Sequence, residues 1–247
     1  MKPIEKAGLL AHAKTRPFGR RVEMARQLLS DFLDRTERPY VAFSGGKDST
    51  ALLGLVSDVA RHIDVVWSDD EWHLPETLDY IDRVDGLIRV AGQTRHTDWF
   101  TSWEKDRPAG AEWVDADADG ALITWARNNG YDGAAIGIRA DENAYRRIHI
   151  RTYGPLFRAE TRQVWQVYPL ASWSVRDVWA FILSRGLDYN RAYDRLAEIG
   201  VPLDQRRVGP FACETALGYG QLAVLKAGWP DLYERFAAAY PQARCFT

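Results

Sequence analysis

The chain has 247 residues, 46% hydrophobic and 27% charged, the balance of a folded protein able to bury a sizeable core. Its net charge of −2 supplies no general electrostatic pull toward nucleic acid or a membrane surface. No apolar run reaches the roughly 18 residues of a membrane span, and the opening MKPIEKAGLLAHAKTRPFGR lacks the apolar stretch and cleavage site of a signal peptide, so a cytoplasmic protein without a membrane partner is expected.

Residues 20–34, RRVEMARQLLSDFLD, have the spacing of an amphipathic helix. YVAFS (40–44) is a short apolar run ending at Gly-Gly and reads as a buried strand; Ala51, Leu52, Leu55, Val56 and Val59 then fall on one helical face. IDVVWS (63–68) is a second strand, and Pro75 suits the first turn of a helix reaching about Arg83. GLIRVA (86–91) is a third strand, DGALITWARNN (119–129) a helix stopped by Gly130, GAAIGI (133–138) a fourth strand and WQVYP (165–169) a fifth. Ser174 and Asp177 have the spacing of a capping box, with Trp173 and Val178 placed as a hydrophobic staple, so the Trp173 segment is read as structural. The remainder reads as short helices and loops. Strands alternating with helices predict an α/β fold: a Rossmann-like open, mostly parallel sheet with helices on both faces and a helical C-terminal segment. The expected division is an N-terminal helical segment over 1–36, a nucleotide-binding α/β domain over 37–185 and a helical appendage over 186–247.

Ser-Gly-Gly-Lys-Asp-Ser at 44–49, between a strand and a helix, is the most specific chemical signal. A strand that turns tightly into a helix aims free backbone amides, and the positive end of the helix dipole, at whatever sits above the sheet. Gly45 and Gly46 permit close approach of the backbone to a phosphate, Ser44 and Ser49 carry hydroxyls, and Lys47 carries a point charge. Asp48 is an anion beside an anion site; capping the helix or holding Mg²⁺ would account for it. The loop is not a Walker A sequence, which needs G-x-x-x-x-G-K-[ST]. Arg139, Arg146, Arg147, His149 and Arg151 form a dense cationic run after the fourth strand, and Arg139 and Arg146 are candidates to clamp phosphate or sulfate oxygens. Asp69 and Asp70, after the second strand, are candidates to accept from ribose or adenine groups or to help hold Mg²⁺. His73 and His96 receive no role.

SGGKDS (44–49) resembles the PP-loop of the ATP pyrophosphatase superfamily, with its adenine-nucleotide α-hydrolase-like fold. DDEWHLPET (69–77), GIRADENAYR (137–146) and PLASWSVRDVWAFI (169–182) resemble, in order, three further segments of the phosphoadenosine phosphosulfate (PAPS) reductase family. The resemblance spans residues 40–182. It implies a nucleotide site built from Ser44, Gly45, Gly46, Lys47, Asp48, Ser49, Asp69, Asp70, Gly137 and Arg139, with Lys47, Asp48, Arg139 and Arg146 acting in catalysis and Asp48 or Asp69 meeting Mg²⁺.

The departures from that family are informative. Asp70 and Glu71 stand where the family has Thr and Gly, putting three acids in a row, which suits a metal-bound nucleotide. Family reductases use a cysteine in a C-terminal Glu-Cys-Gly-Leu-His setting; this chain ends ARCFT, which leaves Cys245 as the candidate nucleophile, with Cys213 a second cysteine of open role. Two cysteines without a C-x-x-C argue against an iron–sulfur cluster. The intact loop goes with members that cleave ATP between the α and β phosphates. The expectation is therefore an enzyme of sulfur metabolism using Mg·ATP through an adenylated intermediate. The first alternative is a thiol-dependent reductase of PAPS or adenosine phosphosulfate (APS). The second is a nucleotide-binding module without catalysis. A sulfur donor, a thioredoxin-like protein, a partner subunit or a second copy are the partners these readings imply.

Overall fold

Alternating side chains on three adjacent strands explain why this chain forms a sheet covered on both faces. Tyr40, Val66 and Ala134 point into one apolar cluster, while Val41, Val65 and Ala135 point into another. In the computed structural model, which describes residues 1–69, 72–91, 118–209 and 220–247, the chain opens with helices α1 (Pro3–His12) and α2 (Arg16–Leu33). Phe18, Val22, Ala25, Leu29 and Phe32 bury one stripe of α2. This helix starts four residues before the expected 20–34, because Pro17 sits in its first turn, where a missing N–H costs nothing.

Next come β1 (Pro39–Ala42), α3 (Lys47–Val59), β2 (Asp64–Asp69), α4 (Pro75–Ile81), β3 (Leu87–Ala91), α5 (Ala118–Asn128), β4 (Gly133–Ala135), α6 (Ala144–Tyr153), β5 (Leu156–Ala159), β6 (Val164–Val167) and α7 (Val175–Arg185). The six strands lie in the order β3-β2-β1-β4-β6-β5. β1 pairs in parallel with β2 (Val41 opposite Val65) and with β4 (Val41 opposite Ala135). Ile123 and Ala126 of α5 cover the Tyr40 face; α2, α3 and α7 cover the other.

The fold is therefore the expected α/β arrangement, with one strand in addition. β5 runs antiparallel to β6 at the sheet edge, joined by the turn 160–163, in which the Arg162 and Gln163 amides donate to the Ala159 carbonyl at 3.1 and 2.7 Å. β4 is shorter than the expected 133–138. Beyond Ile136 the chain turns away, the Ile138 amide donating to the Ile136 carbonyl at 2.9 Å.

The capping box of α7 is formed in full. The Ser174 hydroxyl accepts from the Asp177 amide, and Asp177 Oδ2 accepts from the Ser174 amide at 2.8 Å. Trp173 and Val178 are both buried in the same core. Asp177 also binds His12 Nε2 and Arg21 Nη2, each at 2.8 Å. Burial pushes its carboxyl up, but the bonds from His12, Ser174 and Arg21 outweigh this and hold it below the usual range.

The C-terminal part carries α8 (Ala192–Glu198), α9 (Gln221–Gly228), α10 (Pro230–Ala239) and a 3₁₀ turn over Pro241–Phe246. It is stitched to the sheet region at several points. Trp229 Nε1 donates to Glu76 at 2.8 Å, and Trp72, just after β2, packs edge-on against Phe236 at 5.0 Å between ring centres.

Candidate functional site

β1 leads through α3 to β2 and β3 on one side, after which the chain returns to place β4 on the other side of β1. The strand order thus reverses between β1 and β4, and a crevice outside their carboxyl ends is where such sheets bind ligands. Residues 44–49 leave β1 at that point, and Gly137 and Arg139 leave β4 beside them.

The loop is shaped by its glycines. Gly45 holds φ +70°, a left-handed conformation that other residues adopt only with strain. Gly46 is the N-cap of α3 and makes no side-chain cap bond. The Ser44 and Ser49 hydroxyls lie 3.2 Å apart, and Ser49 Oγ donates to the Gly46 carbonyl at 3.0 Å. Thr50 N bonds back to that carbonyl at 2.9 Å, the first intrahelical bond of α3. The amides of Asp48 and Ser49 therefore belong to the unpaired first turn, which carries the positive end of the helix dipole. The close approach of β4 is set by Gly137: a Cβ there would meet the Asp48 carbonyl carbon at 3.0 Å and the Ser49 nitrogen at 3.1 Å.

Beneath the loop lies a charged cluster. Lys47 and Arg139 are each only 4% exposed. Lys47 Nζ donates to Asp48 Oδ2 at 2.8 Å, and Arg139 Nε donates to Asp48 Oδ1 at 2.6 Å. Arg139 also pairs with Asp141, and its amide donates to Glu142 Oε2 at 3.0 Å. Burial pushes the Asp48 carboxyl up, but the Lys47 and Arg139 charges outweigh that and hold it below the usual carboxylate range. Burial alone would lower the Lys47 amine; the facing Tyr193 oxygen and Asp48 reverse this, and the amine is held above its ordinary value. Asp48 is thus the shared counter-ion of two buried cations, not a helix cap.

Residues 38–216 match the sequence model of the phosphoadenosine phosphosulfate reductase domain. The chain belongs to the PAPS reductase family. Among similar proteins is YbdN of Escherichia coli (strain K12), described as uncharacterised, 24% identical over 88% of this chain and 64% of its own length. The adenosine 5′-phosphosulfate reductase of Anoxybacillus flavithermus is 26% identical over 62% of this chain and 66% of its own. Sulfate adenylyltransferase subunit 2 of Mycobacterium sp. (strain KMS) is 25% identical over 67% of this chain and 60% of its own. The chain spans no more than about two thirds of the length of these relatives. The last two are, by name, proteins of sulfur metabolism.

The remaining site residues of this PAPS reductase family chain are placed as follows. Arg146 begins α6: its amide donates to the Asn143 cap at 2.8 Å, and its guanidinium, 34% exposed, pairs with Glu142. Arg147 and Arg151 are exposed on the same helix, and burial holds the His149 imidazole below its usual value. Asp69 ends β2, half exposed, 3.0 Å from His73 Nε2. Cys245 is exposed in the 3₁₀ turn that follows α10. Asp70, Glu71, His96 and Cys213 lie outside the described residues.

Of the acids expected to meet Mg²⁺, Asp48 is turned onto its neighbours and Asp69 stands half exposed at the end of β2. Both Asp48 oxygens are engaged by cations, and no group of three or more His, Cys, Asp or Glu side chains among the described residues is arranged to hold a metal. No helix among the described residues is long and apolar enough to cross a membrane.

Sequence reasoning missed Asn190 and Tyr193, which reach the loop from the C-terminal part. Asn190 Nδ2 donates to the Gly45 carbonyl at 3.2 Å and to Thr77 Oγ1 at 2.8 Å; the Tyr193 hydroxyl accepts from the Lys47 amide at 2.9 Å. Both belong to no motif, and nothing in DYNRAY marks either as a loop contact.

Proposed function

We propose that this chain binds ATP with its polyphosphate on the Ser44–Ser49 loop and transfers the adenylyl group to an acceptor in sulfur metabolism. The observation that carries this reading is the left-handed Gly45 turn at the β1/β4 crevice, which delivers the first-turn amides of α3 to an anion. A hydrogen bond to a charged group contributes about 1.5–3 kcal/mol, so the Asp48 and Ser49 amides with the Ser44 hydroxyl supply a binding free energy suited to phosphate. In the reaction, an acceptor nucleophile attacks the α phosphorus and the bond from that phosphorus to the bridging oxygen breaks. Pyrophosphate leaves with the electron pair. The loop holds the leaving phosphates in place, and its dipoles face the charge they gain. The Lys47–Asp48–Arg139 cluster keeps the loop's floor charged and rigid. The similarity to a sulfate adenylyltransferase subunit supports this reading.

A second reading, a reductase of APS or PAPS, is favoured by one feature. Cys245 is exposed on the turn after α10, and α10 packs through Phe236 on Trp72, which follows the carboxyl end of β2. The test is to incubate the protein with ATP and sulfate, or with APS or PAPS and a dithiol, and to follow pyrophosphate, AMP and sulfite. Pyrophosphate from ATP supports the first reading; sulfite without ATP turnover replaces it with the second.

A further inference from the structure

We infer that Asn190 and Tyr193 are positioning residues that hold the phosphate-binding loop in its working shape, an inference that rests on the nucleotide reading above. The loop has an intrinsic weakness, since Gly45 and Gly46 carry no side chains to fix their dihedrals, and glycine loses more conformational freedom on ordering than any other residue. Bonds from Ser49 and Thr50 hold the Gly46 carbonyl from within, and the Gly45 carbonyl and the Lys47 amide on either side are held from outside the loop. Asn190, completely buried, donates to the carbonyl of Gly45, and Tyr193, 3% exposed, accepts from the amide of Lys47. The two peptide groups flanking Gly46 are therefore gripped with opposite polarity from one short segment.

That segment is itself anchored. Asn190 Oδ1 accepts from the Ala192 amide at 3.0 Å at the start of α8, and the Tyr193 ring packs edge-on against buried Trp179 at 5.0 Å. Two residues before Asn190, the Asp188 carbonyl accepts from Tyr80 OH at 3.1 Å, and Tyr80 OH meets Thr50 Oγ1 of α3 at 3.0 Å. Residues 188–193 thus touch the strand–loop–helix unit on the loop and, through Tyr80, on the helix. Because Tyr193 takes the Lys47 amide, anion binding falls to the Asp48 and Ser49 amides and the two serine hydroxyls. The Tyr193 oxygen accepts the Lys47 amide whichever protonation state the phenol is in, and burial raises the phenol.

The experiment compares wild type with Tyr193→Phe, Asn190→Ala and, as a control, Tyr189→Phe. Tyr189 lies on the same segment, but its hydroxyl bonds to Asp194 at 3.0 Å, away from the loop. ATP and APS affinity is measured by calorimetry, Tm by unfolding, and exchange of the Lys47 amide by NMR. The expected result is a roughly tenfold weaker Kd in Tyr193→Phe and Asn190→Ala, faster Lys47 exchange in Tyr193→Phe, and neither effect in Tyr189→Phe even if its Tm falls as far. Affinity loss that merely tracks Tm across all three variants, or unchanged Lys47 exchange in Tyr193→Phe, overturns the inference. If wild type binds neither nucleotide, the proposed function fails on its own, and the exchange comparison alone decides whether the segment grips the loop.

Discussion

Asp48 and Arg139 are 91 residues apart in the chain, yet the Arg139 Nε donates to the Asp48 carboxylate at 2.6 Å, joining the loop after β1 to the turn after β4. This bond closes the crevice floor, and Lys47 makes Asp48 the single carboxylate between two buried cations. Removing one partner of a buried ion pair leaves an uncompensated charge and typically costs about 3–5 kcal/mol. Asp48→Asn keeps the shape and removes the charge. Its unfolding free energy in denaturant is expected to fall by about that amount; a loss under about 1 kcal/mol would show that water solvates the cluster.

The same pair sets a pH dependence. The folded Asp48 carboxyl lies below its unfolded value, so the unfolded chain takes up this proton first as the pH falls. The stabilisation is full above the unfolded carboxyl's pKa of about 4 and is lost as the pH drops through the lower folded one. Asp177 acts in the same direction, as does Asp58, whose burial is outweighed by bonds from Arg185 and Arg26, so wild type loses stability in acid through several groups. Asp48→Asn is expected to show a shallower fall of stability between about pH 5 and pH 2. Equal slopes would mean that Asp48 titrates alike in both states.

Gly137 predicts a loss of binding with a steric cause. An added methyl would press on the Asp48 carbonyl and the Ser49 amide, both backbone atoms that cannot swing aside. Gly137→Ala is expected to weaken nucleotide binding at least about tenfold, because on the proposed reading the Ser49 amide serves the anion. Gly19→Ala in α2, where nothing lies within 4 Å of the new methyl, is expected to stabilise by about 0.5–1 kcal/mol and leave binding alone. Calorimetry on both variants makes the comparison.

These long-range contacts show what a sequence can and cannot display. β1, β2 and β3 were legible because apolar runs end at turn residues, and the Ser174–Asp177 box because capping is local. β5 was not. Its four residues, LFRA, are partly exposed at an edge with an arginine among them, and a strand of this kind gains its stability from pairing with β6 rather than from its own pattern. The Ser44–Ser49 loop announced itself through glycines at a strand end. The partners of its charges did not: Lys47 reads as a free cation in sequence, and only the folded chain shows it turned onto Asp48 and buried. Asn190 and Tyr193 act from more than 140 residues away, across a distance no local pattern records.

Arg139 and Arg146 look equivalent in sequence and are expected to separate on mutation. Arg139 is buried against Asp48 and Asp141, so Arg139→Ala should destabilise by about 3–5 kcal/mol and depress activity through the loop. Arg146 is partly exposed and pairs with Glu142, which lies just before the Asn143 cap of α6 and keeps the Arg139 amide as a donor, so losing this half-solvated pair costs only about 1 kcal/mol. Arg146→Ala should therefore keep its Tm, and an increase in nucleotide KM at unchanged Tm would place its guanidinium on the substrate. Equal destabilisation by the two alanine variants would contradict this division.

Cys245 separates the two readings of function most directly. It lies in a turn that is tied down at its neighbours: Arg244 pairs with Glu234 at 2.8 Å, and the Thr247 hydroxyl meets Tyr233 OH at 2.8 Å. Adenylyl transfer from ATP uses no thiol. Cys245→Ser is therefore expected to leave pyrophosphate release from ATP within about twofold of wild type, a difference of less than ~0.5 kcal/mol in the barrier. A reductase would respond differently, since its sulfur–sulfur intermediate cannot form on a serine. Sulfite release from APS or PAPS by wild type that vanishes in Cys245→Ser would make the protein a thiol-dependent reductase and the loop a binding site for its nucleotide.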